Sequence, residues 1–231
     1  MKLGSRLDSI AALVPLNSKI ADIGTDHAYL PAWLVLNNVV AGAIAADVAE
    51  GPCLAAKSTI KAYGIKNRIE VRRGNGLSVL KPDEVDTVII AGMGASTIID
   101  ILSAEPELVA SLSRLILQPM NGAATLRKWA KANGWYLKDE RLAEEADHLY
   151  ELMLLEQGEE ADYSDSEYEI GPLLIKKRDC LLAKQFGKIM RHYEALLQQM
   201  SNSTKAKNSE KYESMQMLLS DLEVLKNECQ G

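Results

Sequence analysis

Phenylalanine occurs once in 231 residues, cysteine three times, and neither basic charge nor unbroken apolar sequence is in surplus. Cys53, Cys180 and Cys229 are far apart, odd in number and without a C-x-x-C pair. That excludes a disulfide framework and a thiolate zinc site, and it suits a reducing, cytoplasmic setting. His27, His148 and His192 lack metal-ligand spacing, so no metal is expected. Residues 1–8 hold no apolar signal core. The uncharged run 28–46 reaches membrane-span length, but Pro31, Asn37, Asn38 and Gly42 break it into helix, turn and buried strand. No P-loop, G-x-S-x-G elbow or H-E-x-x-H occurs, so kinase and hydrolase readings have no basis.

What is present suits a globular enzyme. With 47% hydrophobic and 25% charged residues, the chain can build a full core. Its length fits one α/β domain plus a smaller appendage. The net charge of −6 argues against a simple basic nucleic-acid binder, yet charge is unevenly spread. Residues 158–170 carry six acids and no base, while 171–211 carry nine bases against three acids.

Short apolar runs alternate with helical periods as far as about Glu156, the pattern of βαβ units. Strands are expected at 19–23, 43–48, 69–72, 87–91 and 115–117, with helices at 31–38, 52–63, 95–102 and 123–133. Two further strands, 135–141 and 148–156, read as an antiparallel closing hairpin. The sum is a seven-stranded, doubly wound α/β sheet over residues 1–157. A linker is expected at 158–171, on its acids, Gly158, Gly171 and Pro172. Over 172–231 the period changes. Leu182, Phe186, Ile189, Tyr193, Leu196 and Met200, then Met215, Leu218, Leu222, Leu225 and Cys229, form a coiled-coil-like seam on two helices. The polar stretch 201–210 between them predicts a helical hairpin.

Asp22 and Gly24 close the first strand, where a doubly wound sheet opens its ligand crevice. A dinucleotide turn would be G-x-G-x-x-G, but Asp26 and Tyr29 stand in place of its later glycines. Asp22 and Asp26 would repel a pyrophosphate and welcome a cation, which favours S-adenosylmethionine over NAD. Asp47 ends the second strand where nucleoside-binding sheets hold ribose hydroxyls. Asn75 and Gly76 end the third strand beside the same crevice, where the amide suits an adenine edge. Gly92 and Met93 follow the fourth strand, at the usual point of substrate access. His27 suits a cofactor carboxylate and equally a buried structural role. Lys57, Lys61, Lys66, Arg68, Arg72 and Arg73 form one basic cluster, and Lys177, Lys184, Lys188 and Arg191 form another along one helix. Both suit RNA phosphates, and both suit a plain solvated face.

The strings A21-DIGTDHAYLP-31, A43-IAADV-48 with Gly51-Pro52, IAGMG at 90–94, LILQP at 115–119 with Leu126-Arg127, and Tyr150-Glu151 together resemble one family. It is the TrmK family of bacterial tRNA (adenine-22-N1)-methyltransferases. The resemblance implies a class I, Rossmann-like methyltransferase sheet, S-adenosylmethionine as donor, tRNA as partner and a C-terminal helical hairpin that helps to grip it. It implies a cofactor site at Arg6, Asp22, Gly24, Asp26, His27, Asp47, Asn75, Gly76, Gly92 and Met93. Asn75 and Met93 would position the reaction, and Arg127 would join the RNA-binding residues. Asn75 departs from the aspartate common there. Two other readings stay open: a nicotinamide-dependent oxidoreductase, and an RNA-binding module without catalysis. A monomer or weak dimer, without a membrane, is expected.

Overall fold

In the computed structural model, which describes residues 1–230, the chain divides into two compact units: Met1–Glu160, and a second that begins at Ala161. Gly231, the last residue of the expected hairpin, lies outside the described residues.

The first unit runs α1 (Ser5–Ala11), β1 (Ile20–Ile23), α2 (Tyr29–Leu36), β2 (Ala43–Asp47), α3 (Glu50–Ala62), β3 (Ile69–Arg73) and a 3-10 turn (Gly76–Val79). It continues with β4 (Thr87–Met93), α4 (Ala95–Ala104), α5 (Pro106–Ser111), β5 (Arg114–Pro119), α6 (Ala123–Ala132), β6 (Trp135–Glu145) and β7 (His148–Gln157). The seven strands form one sheet in the order β3-β2-β1-β4-β5-β7-β6. β1 to β5 are parallel, and β7 runs antiparallel to both β5 and β6. The expected doubly wound seven-stranded fold is therefore present.

Period-2 alternation sorts the strand residues onto two buried faces. Ile89 and Ile116 join Ile10, Leu34, Val35 and Ile60 in one core with α1, α2 and α3. Val88, Ile90, Leu115 and Leu117 are also fully buried, on the face opposite, as are Ile98 of α4 and Leu126 of α6. The sheet needs helices on both sides because neither face is polar. The order reverses between β1 and β4, and this switch point opens a crevice at the carboxyl ends of the strands.

Some details of this unit differ from expectation. β4 does not stop at Ala91: it runs on to Met93, which pairs with Pro119 after a register shift. Gly92, at φ +80, makes that shift sterically easy. α1 and α5 carry no sequence signal strong enough to predict them.

The second unit holds α7 (Asp165–Ile170), α8 (Pro172–Lys177), α9 (Leu182–Ser201), α10 (Thr204–Lys207) and α11 (Glu210–Gln230). The acidic stretch expected as a linker contains α7. Its start is a capping box, in which Ser164 accepts from Glu167 N–H while the Glu167 carboxylate accepts from Ser164 N–H. Tyr168 and Ile170 are buried. α9 and α11 pack on each other across the short α10, with Phe186 and Leu222 fully buried.

Candidate active site

Glycine at position 24 is what lets β1 leave the sheet. Its φ is +79, and both Gly24 N–H and Thr25 N–H donate to Ala46 O, at 2.8 and 3.0 Å. A Cβ there would stand 2.2 Å from Met93 Cε, so the methionine lies directly over the turn. Asp26 and Ala28 also have left-handed φ, +49 and +53. For alanine that conformation costs roughly 1–2 kcal/mol, strain of the kind stored where a loop must hold a set shape.

Asp22, one residue before the end of β1, is buried, and its Oδ2 accepts from Thr25 Oγ1 at 2.7 Å. Loss of solvation pushes its carboxyl up to about 6, against smaller lowering by Thr25 and the nearby Arg6. Asp22 therefore changes charge close to physiological pH.

A cavity of about 290 Å³ lies at the carboxyl ends of β1, β2 and β3. Gly24, Asp47, Asn75, Gly76 and Met93 all line it, so five sequence-predicted residues meet in one place. Thr97, Asp100 and Ile101 of α4 complete the wall. Asp47 Oδ1 accepts from Ala49 N–H at 2.8 Å, which fixes the carboxylate at the rim. A Cβ at Gly76, whose φ is +53, would stand 3.0–3.5 Å from the Ile101 side chain, so a larger residue there would crowd that wall. Acids beside apolar walls fit a nucleoside that carries positive charge, and among the described residues no cationic side chain lines the cavity to receive a pyrophosphate. S-adenosylmethionine meets those conditions. A wider groove of about 720 Å³ opens at the opposite, amino-terminal edge, around Lys19, Gly42 and Arg68. Doubly wound sheets bind ligands at the carboxyl edge, which makes the smaller cavity the candidate site.

A second group gathers over the ends of β4 and β5. Arg6 Nη1 donates to Gln118 Oε1 at 2.8 Å and lies 3.8 Å from where a Gly92 Cβ would be. The Arg6 guanidinium sits 5.6 Å from the centre of the Tyr150 ring, and Glu145 accepts from Arg6 N–H. Gln118, buried, also donates to Pro119 O. Thr25, Gln118 and Tyr150 were not predicted as site residues. All three lie in the strings that carry the family resemblance, which mark the positions but assign them no role. Asp26 and His27 are placed differently from the cavity residues. Asp26 is exposed, its carboxylate 3.5 Å from His27 Nε2, and the His27 ring stacks on Tyr29. Neither lines the cavity.

The basic residues separate into two kinds. Arg127 does not face solvent: it is 1% exposed and bridges Glu140 and Glu151, at 2.7 and 2.8 Å. Burial opposes its charge, but the two carboxylates outweigh this and hold the guanidinium above its usual value. Its role is to pin α6 to the β6–β7 hairpin, so the expected RNA contact is corrected. Arg72 is likewise engaged, with Glu70 and Glu84 on its guanidinium, and Arg72 in turn holds Glu84 down at about 2. Arg68 donates to Ala41 O and Val40 O, and Arg73 pairs with Glu50. Lys57 and Lys61 are exposed, and with Lys66 they line a shallow groove along α3. In the second unit Lys177, Lys184 and Arg191 are exposed and Lys188 is half-buried. Among the described residues no cluster of His, Cys, Asp and Glu is fit to hold a metal, and no helix is long and apolar enough to cross a membrane.

Comparison with known proteins gives one consistent answer. Residues 20–223 match the family model TrmK, described as tRNA (adenine(22)-N(1))-methyltransferase. The curated tRNA (adenine(22)-N(1))-methyltransferase of Bacillus subtilis (strain 168) is 35% identical, over 98% of this chain and 96% of its own. A Streptococcus pneumoniae protein solved in complex with S-adenosyl-L-methionine superposes with a TM-score of 0.84 at 32% identity, covering 98% of this chain and 99% of that one. TrmK of M. capricolum, solved with S-adenosyl-homocysteine, gives a TM-score of 0.79 at 27% identity, over 98% and 99% of the two chains. With sheet order, cavity and near-full-length likeness in agreement, the chain belongs to the TrmK family of tRNA (adenine(22)-N(1))-methyltransferases.

Proposed function

We propose that the protein transfers a methyl group from S-adenosylmethionine to N1 of adenine 22 in tRNA. The observation that carries this reading is the cavity, in which Gly24, Asp47, Asn75 and Met93 meet at the switch point, in a chain of this family. When bound, S-adenosylmethionine supplies an electrophilic methyl group on a sulfonium centre. Asp47 takes the ribose hydroxyls and Asn75 lies by the adenine ring, readings supported by their places on the cavity rim. Gly24 and Gly76 keep the walls clear of side chains. Asp22 and Arg6 set the charge at the β1 end, with Gly92 and Met93 bordering the point of transfer. Asp26 and His27 belong to the loop that closes over the β1 end rather than to the cavity wall.

Adenine N1 carries an in-plane lone pair at neutral pH, so no base has to remove a proton before attack. What this chain supplies is positioning and a field that tolerates positive charge. The methylated base is cationic, and ionised Asp22 stabilises that charge without accepting a proton. The base must leave its stack to reach the site. For the RNA backbone we assign Lys57 and Lys61 in the first unit and Lys177, Lys184, Lys188 and Arg191 in the second, with Arg73 at the edge. The protein acts in the cytoplasm, as a monomer or weak dimer. A nicotinamide reading fails on the acidic turn at Asp22 and Asp26.

The test is methylation of an unmodified tRNA transcript with labelled S-adenosylmethionine, mapped by mass spectrometry. One methyl group on N1 of adenine 22, absent when guanine replaces that base, is expected. Transfer to another base, or binding of tRNA without transfer, would overturn the reading.

A further inference from the structure

β5 leads into Met120, Asn121 and Gly122, and the backbone of this loop is fixed. Met120 N–H donates to Met93 O at 2.8 Å, and Ala95 N–H donates to Asn121 O at 3.2 Å. Gly122, at φ +69, turns the chain into α6. The Asn121 side chain is exposed, and its amide makes no hydrogen bond among the described residues. The amide lies across Gly94, with Oδ1 and Nδ2 at 3.2 and 3.7 Å from where a Gly94 Cβ would be. Gly94 follows Met93, which lines the cavity. An open donor and an open acceptor therefore sit side by side, next to the cavity rim and on its β5 side. The backbone beneath them is fixed, and the amide is free to turn and meet one planar partner.

Resting on the methyltransferase reading above, we propose that Asn121 holds the target adenine by its Hoogsteen edge. Oδ1 accepts from the 6-amino group and Nδ2 donates to N7. The chemistry dictates the edge: attack uses the N1 lone pair, so no amide hydrogen can be placed on N1. A carboxamide matches adenine N6 and N7 bidentately and leaves N1 bare. Guanine offers two acceptors along the same edge, so Oδ1 would meet a carbonyl oxygen. Asn121 thus both orients the base and selects it. Met120, half-exposed in the same loop, offers an apolar surface for the ring.

The test pairs an altered residue with an altered base. Unaltered protein and Asn121→Ala are each assayed on transcripts carrying adenine or 7-deazaadenine at position 22, which removes only the N7 acceptor. The unaltered protein should lose roughly tenfold in kcat/KM on the 7-deaza transcript. Asn121→Ala should lose roughly tenfold to a hundredfold on adenine and be indifferent to the 7-deaza change. Its S-adenosylmethionine affinity, read by calorimetry, should be unchanged. A full rate from Asn121→Ala, or the same 7-deaza penalty in both proteins, would overturn the assignment. No transfer to either transcript by the unaltered protein would instead overturn the methyltransferase reading, and this assignment with it.

Discussion

At Asp22 a single carboxyl sets a stability slope and, under the proposed function, a binding slope as well. Its folded value of about 6 lies above the ordinary 3.8, so the folded chain holds the proton longer than the unfolded one. Below about pH 3 the group is neutral in both states and stability is unaffected. Between about 4 and 6 the unfolded chain ionises first, and folding is penalised by up to about 3 kcal/mol, a penalty that persists at higher pH. Asp22→Asn should therefore be more stable than the parent at pH 7 by as much as that amount, in urea unfolding, with little gain at pH 4. S-adenosylmethionine affinity of the parent should rise through about pH 6, as the carboxylate forms, and Asp22→Asn should flatten that rise. A parent whose affinity ignores pH from 5 to 8 would contradict the role. Asp22 and Gly24 were legible because a strand end followed by glycine has few structural meanings, and Asp47 because it ends the second strand. Asn121 was not, because an amide's freedom from hydrogen bonds is a tertiary property that no local pattern carries.

Elements were legible where apolar runs were long, and obscure where they were short or polar. β4 was plain from its β-branched Thr87, Val88, Ile89 and Ile90, but its last two residues needed knowledge of the Pro119 pairing. α7 was lost to its acidity, although the Ser164–Glu167 capping box was there to be read. The β6–β7 hairpin shows the same limit at Arg127. Sequence gives a basic residue on a helix, but not Glu140 and Glu151 folding onto it from two strands. Arg127→Met should cost about 3–5 kcal/mol in urea unfolding, because it removes the guanidinium that bridges two buried carboxylates. The tRNA affinity of the folded protein should not change. A stable variant with tenfold weaker tRNA binding would restore Arg127 to the RNA surface.

Across the whole molecule, charge is divided rather than balanced. The net value of −6 conceals the bases of residues 171–211. If Lys177, Lys184, Lys188 and Arg191 meet phosphates, replacing all four with alanine should flatten the dependence of log K for tRNA on log salt. The slope should change by about 0.7–0.9 for each phosphate left without its cation, read from filter binding between roughly 50 and 200 mM salt. S-adenosylmethionine binding should be untouched, since every residue lining its cavity is in the first unit. An unaltered slope would leave the phosphates to Lys57 and Lys61. The position of β1 carries a consequence of a different kind, in the order of events during folding. β1 pairs with β2 on one side, Ile20 beside Ala43, but with β4 on the other, Ile20 beside Thr87. The first neighbour is close in the chain, whereas the second arrives only after β2, α3 and β3 have been made. Closing so long a loop is the slower event. On the ribosome, then, the half of the crevice that holds Gly24, Asp47 and Asn75 can assemble early, and the wall bearing Met93 is added to it last.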